Sequence, residues 1–155
     1  MKALILYDSM YGNTEKIAQA LGSAISGEVK VSHVDKVKPD ELRSFNLIII
    51  GSPTQGFRPT KPIQEFIKSV SEDILKDINV AAFDTRITDQ EVGRGLRFLM
   101  KIGGYAAPNI AKELKKKNAN LIISPEGFFV KGKEGPLKEG EEKRAVNWVK
   151  EILEA

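Results

Sequence analysis

Few side chains in this sequence can do chemistry unaided. There is no cysteine and a single histidine, His33. Thiol catalysis, disulfides and thiolate-bound metals are therefore excluded, and the lone histidine argues against a histidine-based metal cluster or catalytic triad. Any redox chemistry has to come from a bound organic cofactor. What the chain does offer is a run of small polar donors in one turn: Ser9, Met10, Tyr11, Gly12, Asn13 and Thr14. Ser9, Asn13 and Thr14 carry hydrogen-bond donors, and Gly12 lets the backbone approach a ligand closely. The chemistry this fits is capture of an anion, above all a phosphate. An Asn13 or Thr14 that only caps a helix would look the same, and that plainer reading stays open.

The elements on either side of the turn decide what it faces. Residues 3–6 form a short apolar run, as in a strand buried on both faces. From Thr14 the period becomes helical, with Ile17, Ala18, Leu21, Ala24 and Ile25 on one side. A strand–turn–helix of this kind aims free backbone N–H groups, and the positive end of the helix dipole, beyond the strand's carboxyl end. Neither G-x-G-x-x-G nor the P-loop pattern is present. The turn thus suits one phosphate better than a pyrophosphate or triphosphate.

The rest of the chain repeats the alternation. Residues 28–34 read as an edge strand, with His33 on a partly exposed face, and residues 36–44 as at most a short helix. Residues 45–51 are the clearest strand, followed by a Pro-, Gly- and Thr-rich loop and a helix bearing Ile63, Phe66, Ile67 and Val70. Residues 79–84 form a fourth strand, whereas 85–104 show no clear pattern. A helix over 105–117 buries Ala107, Ile110, Ala111 and Leu114, and Lys115, Lys116 and Lys117 complement its C-terminal dipole. Residues 121–123 form a fifth strand, extended by 127–130 after a break at Pro125. The last helix carries Ala145, Trp148, Val149, Ile152 and Leu153, with Trp148 as a packing residue. This order predicts an α/β fold, a three-layer doubly wound parallel sheet, in a single domain over residues 1–155.

Composition narrows the setting. No apolar stretch is long enough to cross a membrane, and the N-terminus lacks a signal-peptide layout, so the expectation is a cytoplasmic protein. A net charge of +3 and a pI near 9.0 are too mild to argue for nucleic acid. The Lys115–Lys117 run and the Lys131, Lys133 and Lys138 group read as solvated faces, without the interleaved aromatics of a single-strand binder.

The turn also carries a resemblance. Residues 9–14 resemble the phosphate loop of flavodoxin-like proteins, usually Thr/Ser-x-Thr-Gly-x-Thr, with Ser9, Gly12 and Thr14 matching. Tyr11 replaces the usual hydroxyl residue, as in the Ser-Met-Tyr-Gly variant of flavodoxin-like quinone reductases. Residues 7–16 are also similar to the flavodoxin module of flavodiiron proteins. The resemblance implies a five-stranded sheet of order 2-1-3-4-5, of which flavodoxin is the type example, with the phosphate of flavin mononucleotide (FMN) on this loop. Gly51-Ser52-Pro53-Thr54 resembles the family's second loop. It implies that Pro53, Thr54, Gln55, Gly56 and Phe57 lie along the isoalloxazine ring, Phe57 stacking on it and Thr54 or Gln55 bonding its polar edge. A proline-stiffened connection is the alternative. The third loop, Asp84-Thr85-Arg86-Ile87-Thr88, departs from the family by lacking an aromatic. Thr85 and backbone N–H groups could still reach the pyrimidine edge. Arg86 either sets positive charge beside the flavin or pairs with Asp84 or Asp89.

The reading is an FMN-binding electron carrier that meets a redox partner protein or a small-molecule electron acceptor. Well-known flavodoxins are acidic, so this mildly basic chain would not share their usual basic partner. An NAD(P)H-dependent quinone or flavin reductase of the same fold is the alternative, and a module that has lost its flavin is the third. Residues 93–104 are either a helical extension packed on the sheet edge or a lid or dimer contact, which leaves a homodimer open.

Overall fold

The central strands are buried on both faces in a computed structural model that describes residues 1–87 and 104–155. The strands are β1 (Lys2–Tyr7), β2 (Glu28–His33), β3 (Leu47–Pro53), β4 (Asn79–Ile87), β5 (Asn120–Leu121) and β6 (Glu126–Val130). Leu4, Leu6, Ile48, Ile50, Val80 and Ala82 point to one face of the sheet. They pack on Ile63, Phe66 and Ile67 of α2 (Lys61–Ser69) and on Ala107, Ile110 and Leu114 of α4 (Ala106–Lys116). The intervening residues Ala3, Ile5, Leu47, Ile49, Ala81 and Phe83 point the other way. Their partners are Ile17 and Leu21 of α1 (Asn13–Ser23) and Ala145, Trp148, Val149 and Ile152 of α5 (Glu141–Glu154). A one-turn helix, α3 (Glu72–Leu75), completes the first of these layers. Each large side chain so buried contributes about 1.5–3 kcal/mol. That is why the strands read as continuous apolar runs rather than as half-polar ones.

The sheet runs β2-β1-β3-β4-β5, with every neighbouring pair parallel. This is the order expected, with β2 at an edge. Two details differ from the sequence reading. β4 continues past Asp84 through Thr85 and Arg86 to Ile87, where a loop was expected, because β6 pairs with it from Phe83↔Glu126 to Ile87↔Val130. The fifth position in the sheet is also split. β5 pairs with only the start of β4, Ile122 N–H still donates to Val80 C=O (3.2 Å), and the ladder resumes at Glu126. Pro125, which has no N–H, sits in the gap.

Trp148 is core, edge-on to Phe83 and Phe128 at 6.4 and 6.0 Å between ring centroids. Lys117 is not a solvated charge. Its ammonium donates to the carbonyls of Ile67 (2.7 Å), Lys68 (2.9 Å) and Val70, at the negative end of α2. The expectations for residues 93–104 fall outside the described residues, Gly104 apart. Among the described residues no helix is long and apolar enough to cross a membrane.

Candidate functional site

Four segments meet beyond the carboxyl ends of the strands: residues 8–12 after β1, 54–60 after β3, the end of β4, and 131–137 after β6. They enclose a cleft of about 470 Å³, within the size range of small-ligand sites. Ser9, Met10, Tyr11, Asn13 and Thr14 line it from the first segment, Pro53, Thr54, Gln55 and Gly56 from the second, and Thr85, Arg86 and Ile87 from β4. Val130, and Lys133 from the group read as a solvated face, also line it.

The segments are tied to one another by named bonds. Asp8, 6% exposed, is the central knot. Its Oδ1 accepts from Ser9 N–H (2.9 Å) and from His33 Nε2 (3.0 Å), and its Oδ2 accepts from Thr60 Oγ1 (2.6 Å). Asp8 thereby holds the first loop to β2 and to the start of α2. His33, expected on a partly exposed strand face, is thus a tether: its Nδ1 accepts from Asp35 N–H (3.2 Å), which leaves the ring proton on Nε2 for Asp8. Thr54 N–H donates to Thr85 C=O (3.0 Å), and Thr54 Oγ1 accepts from Ala106 N–H (3.0 Å). Thr54 is therefore part of the frame, and Gln55, exposed beside it, lines the cleft with an amide that has no partner among the described residues.

At the α1 end the arrangement suits an anion. Gly12 is the N-cap with φ 92°, in the left-handed region that glycine enters without strain, and its N–H donates to Ser9 Oγ (3.1 Å). It has no side chain to cap α1, so the N–H groups of the first turn have no N-cap side chain to bond and no capping partner among the described residues. Gly12 shapes the turn without lining the cleft. Thr14 Oγ1 and Thr85 Oγ1 lie 2.8 Å apart, both hydroxyls buried. One must donate to the other, which leaves the second proton for a ligand in the cleft. Uncapped N–H groups, a helix dipole and a spare hydroxyl proton are the donor set a phosphate monoester requires. The residues present fit that part of FMN.

Besides Gly12, two expected residues stand apart from the cleft. Phe57 sits at the tip of a tight turn in which Gln55 and Arg58 exchange backbone hydrogen bonds (2.8 and 3.0 Å), at φ 68° and outside the lining. Asp84 is fully buried. Its carboxylate accepts from Arg86 Nε and Nη2 (2.7 Å each) and from Ala107 N–H (2.8 Å) in the first turn of α4. Of the two pairings open to Arg86, the one with Asp84 is present. Burial pushes the Asp84 carboxyl up from its ordinary value, against the downward pull of Arg86. Arg86 itself lines the cleft, its guanidinium 3.7 Å from the centre of the Tyr105 ring. Tyr7, below the cleft, donates its hydroxyl to Glu15 (3.0 Å), and burial together with that carboxylate raises its pKa.

A doubly wound parallel sheet of order 2-1-3-4-5, with a donor-rich β1–α1 turn at the switch between β1 and β3, has the flavodoxin-type architecture. Residues 4–126 match the family described as Flavodoxin domain, and the chain belongs to that family. It is 37% identical over 73 residues to an uncharacterized protein of Methanocaldococcus jannaschii, covering 46% of this chain and 47% of that one. Over 82 residues it is 28% identical to a flavodoxin of Aquifex aeolicus, covering 50% and 44%. The chain thus spans about half the length of the curated relatives it matches. Among solved structures, a flavodoxin from the domain Archaea superposes with a TM-score of 0.77 over 99% of this chain and 97% of that one, at 23% identity.

Proposed function

We propose that this chain binds FMN and carries electrons. The observation that supports the reading is the uncapped first turn of α1, opening beside Ser9 and the Thr14–Thr85 pair into a cleft of ligand size. Ser9, Asn13, Thr14 and the N–H groups of residues 13–15 hold the phosphate. Pro53, Thr54, Gln55 and Gly56 on one side, and Thr85, Arg86 and Ile87 on the other, receive the ring, with the Gln55 amide at its polar edge. When bound, the flavin supplies the redox chemistry. The protein orients it, limits its contact with water and tunes it through nearby dipoles and charge. The carrier works as a single domain in the cytoplasm and passes electrons to a protein partner or a small-molecule acceptor. The test is to load the protein with FMN under anaerobic conditions. A carrier keeps its visible flavin band when NAD(P)H is added and loses it with a chemical reductant.

An NAD(P)H-dependent quinone or flavin reductase is the second reading. Tyr11 is the one aromatic among the described lining residues, it is 47% exposed, and Phe57 lies outside. That leaves room over the cleft for a second substrate. Rapid bleaching by NAD(P)H would replace the carrier with this enzyme.

A further inference from the structure

The loop after β6 is built as a tight hairpin and pinned to the anion end of the cleft. Val130 and Leu137 form a bridge, Lys131 N–H donates to Pro136 C=O (2.9 Å), Lys138 N–H to Phe129 C=O (2.8 Å), and Gly135 N–H closes on Gly132 C=O (2.9 Å). The tip is fastened to the first turn of α1 by Asn13 Nδ2, which donates to Glu134 C=O (3.2 Å). Gly135 lies so close that a Cβ there would stand 2.5 Å from the Asn13 amide. Lys133, one residue before this contact, lines the cleft together with Asn13 and Thr14 of the first turn of α1.

Among the described residues two cations line the cleft, and they differ. Arg86 is neutralised by the buried Asp84. Lys133 is exposed and has no carboxylate partner among the described residues. A phosphate monoester carries roughly −1.5 to −2 charges at neutral pH, and a helix N-terminus supplies the equivalent of about +0.5. The N–H groups and hydroxyls of the first loop can shape a phosphate site but leave most of that charge uncompensated.

We propose that Lys133 is the counter-cation of the ligand's phosphate and sets the cleft's preference for a phosphorylated flavin over the bare riboflavin. This rests on the FMN reading and adds to it a residue from the far end of the chain. It makes the C-terminal hairpin, not only the first loop, part of the phosphate site.

The test is a titration of the flavin-free full chain with FMN and with riboflavin, at low and at high NaCl. Wild type binds FMN more tightly than riboflavin, and the gap narrows as salt screens the ammonium. Lys133→Met lowers FMN affinity roughly three- to tenfold, leaves riboflavin affinity unchanged and flattens the salt dependence. Lys133→Glu loses more, and Lys131→Met, on the same hairpin, behaves as wild type. If wild type binds FMN and Lys133→Met binds it equally well with the same salt dependence, the inference falls and the FMN reading stands. If Lys133→Met weakens both flavins alike, the lysine acts on the shape of the cleft and the inference also falls. If wild type binds neither flavin, both readings fall together.

Discussion

Arg86 is gripped on three sides: Asp84 takes both of its forward donors, Tyr105 covers its plane, and Gly127 backs it so closely that a Cβ there would stand 2.2 Å from the guanidinium carbon. Removing one partner of a buried pair strands the other charge, at a cost of about 3–5 kcal/mol. Arg86→Met should therefore lower stability by that order, read as a shift in the denaturation midpoint; a loss below about 1 kcal/mol would show that Asp84 finds other compensation. Neither the pairing nor its alternative could be settled from sequence. Asp84 and Arg86 share a face only if residues 84–87 are a strand, where side chains two apart point the same way. The donor cluster of residues 9–14 was legible because the groups that meet there are contiguous. Asp8 and Thr60 were not, since they are 52 positions apart. That Lys133, read as part of a solvated face and indeed exposed, also lines the cleft was not legible for the same reason.

At the scale of elements, apolar runs and helical periods predicted the alternation of strands and helices and the two covering layers, because each central strand is buried on both faces, whereas the strand order rested also on the family resemblance. The end of β4 was misread because its apolar run stops at Phe83, while its pairing with β6 does not. β6 was visible only as an extension beyond Pro125. The β3–β4 register has a sharper consequence. Gly51 sits opposite Phe83, and a Cβ at Gly51 would stand 2.0 Å from the Phe83 ring, which is fully buried. Gly51→Ala must push that ring into Phe128 and Trp148, its edge-to-face neighbours. Overpacking of this kind costs about 1–3 kcal/mol. Thermal denaturation should show the loss, and the companion change Phe83→Leu in the Gly51→Ala background should recover part of it. A neutral Gly51→Ala would mean that the ring has room to move.

For the molecule as a whole, α5 is joined to the β6 edge through a carboxylate. Glu141 Oε2 accepts from Phe129 N–H (2.7 Å), and Arg144 bonds both Glu141 oxygens (2.9 and 2.7 Å) and the Gly127 carbonyl. Burial pushes the Glu141 carboxyl up, but Arg144 and the Phe129 N–H pull it further down, and the net displacement is below its ordinary value. A group lowered in the folded state stabilises fully above its unfolded pKa and loses that contribution as pH falls. Glu141→Gln should cost about 1–2 kcal/mol near neutrality, and the gap from wild type should close as pH drops through the carboxylate range. A gap independent of pH would assign the loss to shape instead. The same hairpin that α5 follows also closes the cleft, so the account of the whole molecule turns on what the cleft holds. The most direct measurement is a visible-absorbance titration of the flavin-free protein with FMN, beside the Ser9→Ala/Thr14→Val double variant. The account predicts saturable binding with a shifted flavin band in wild type, largely lost in the variant. No saturation well above ~10 μM, where a site worth roughly −7 kcal/mol would be mostly filled, would contradict it.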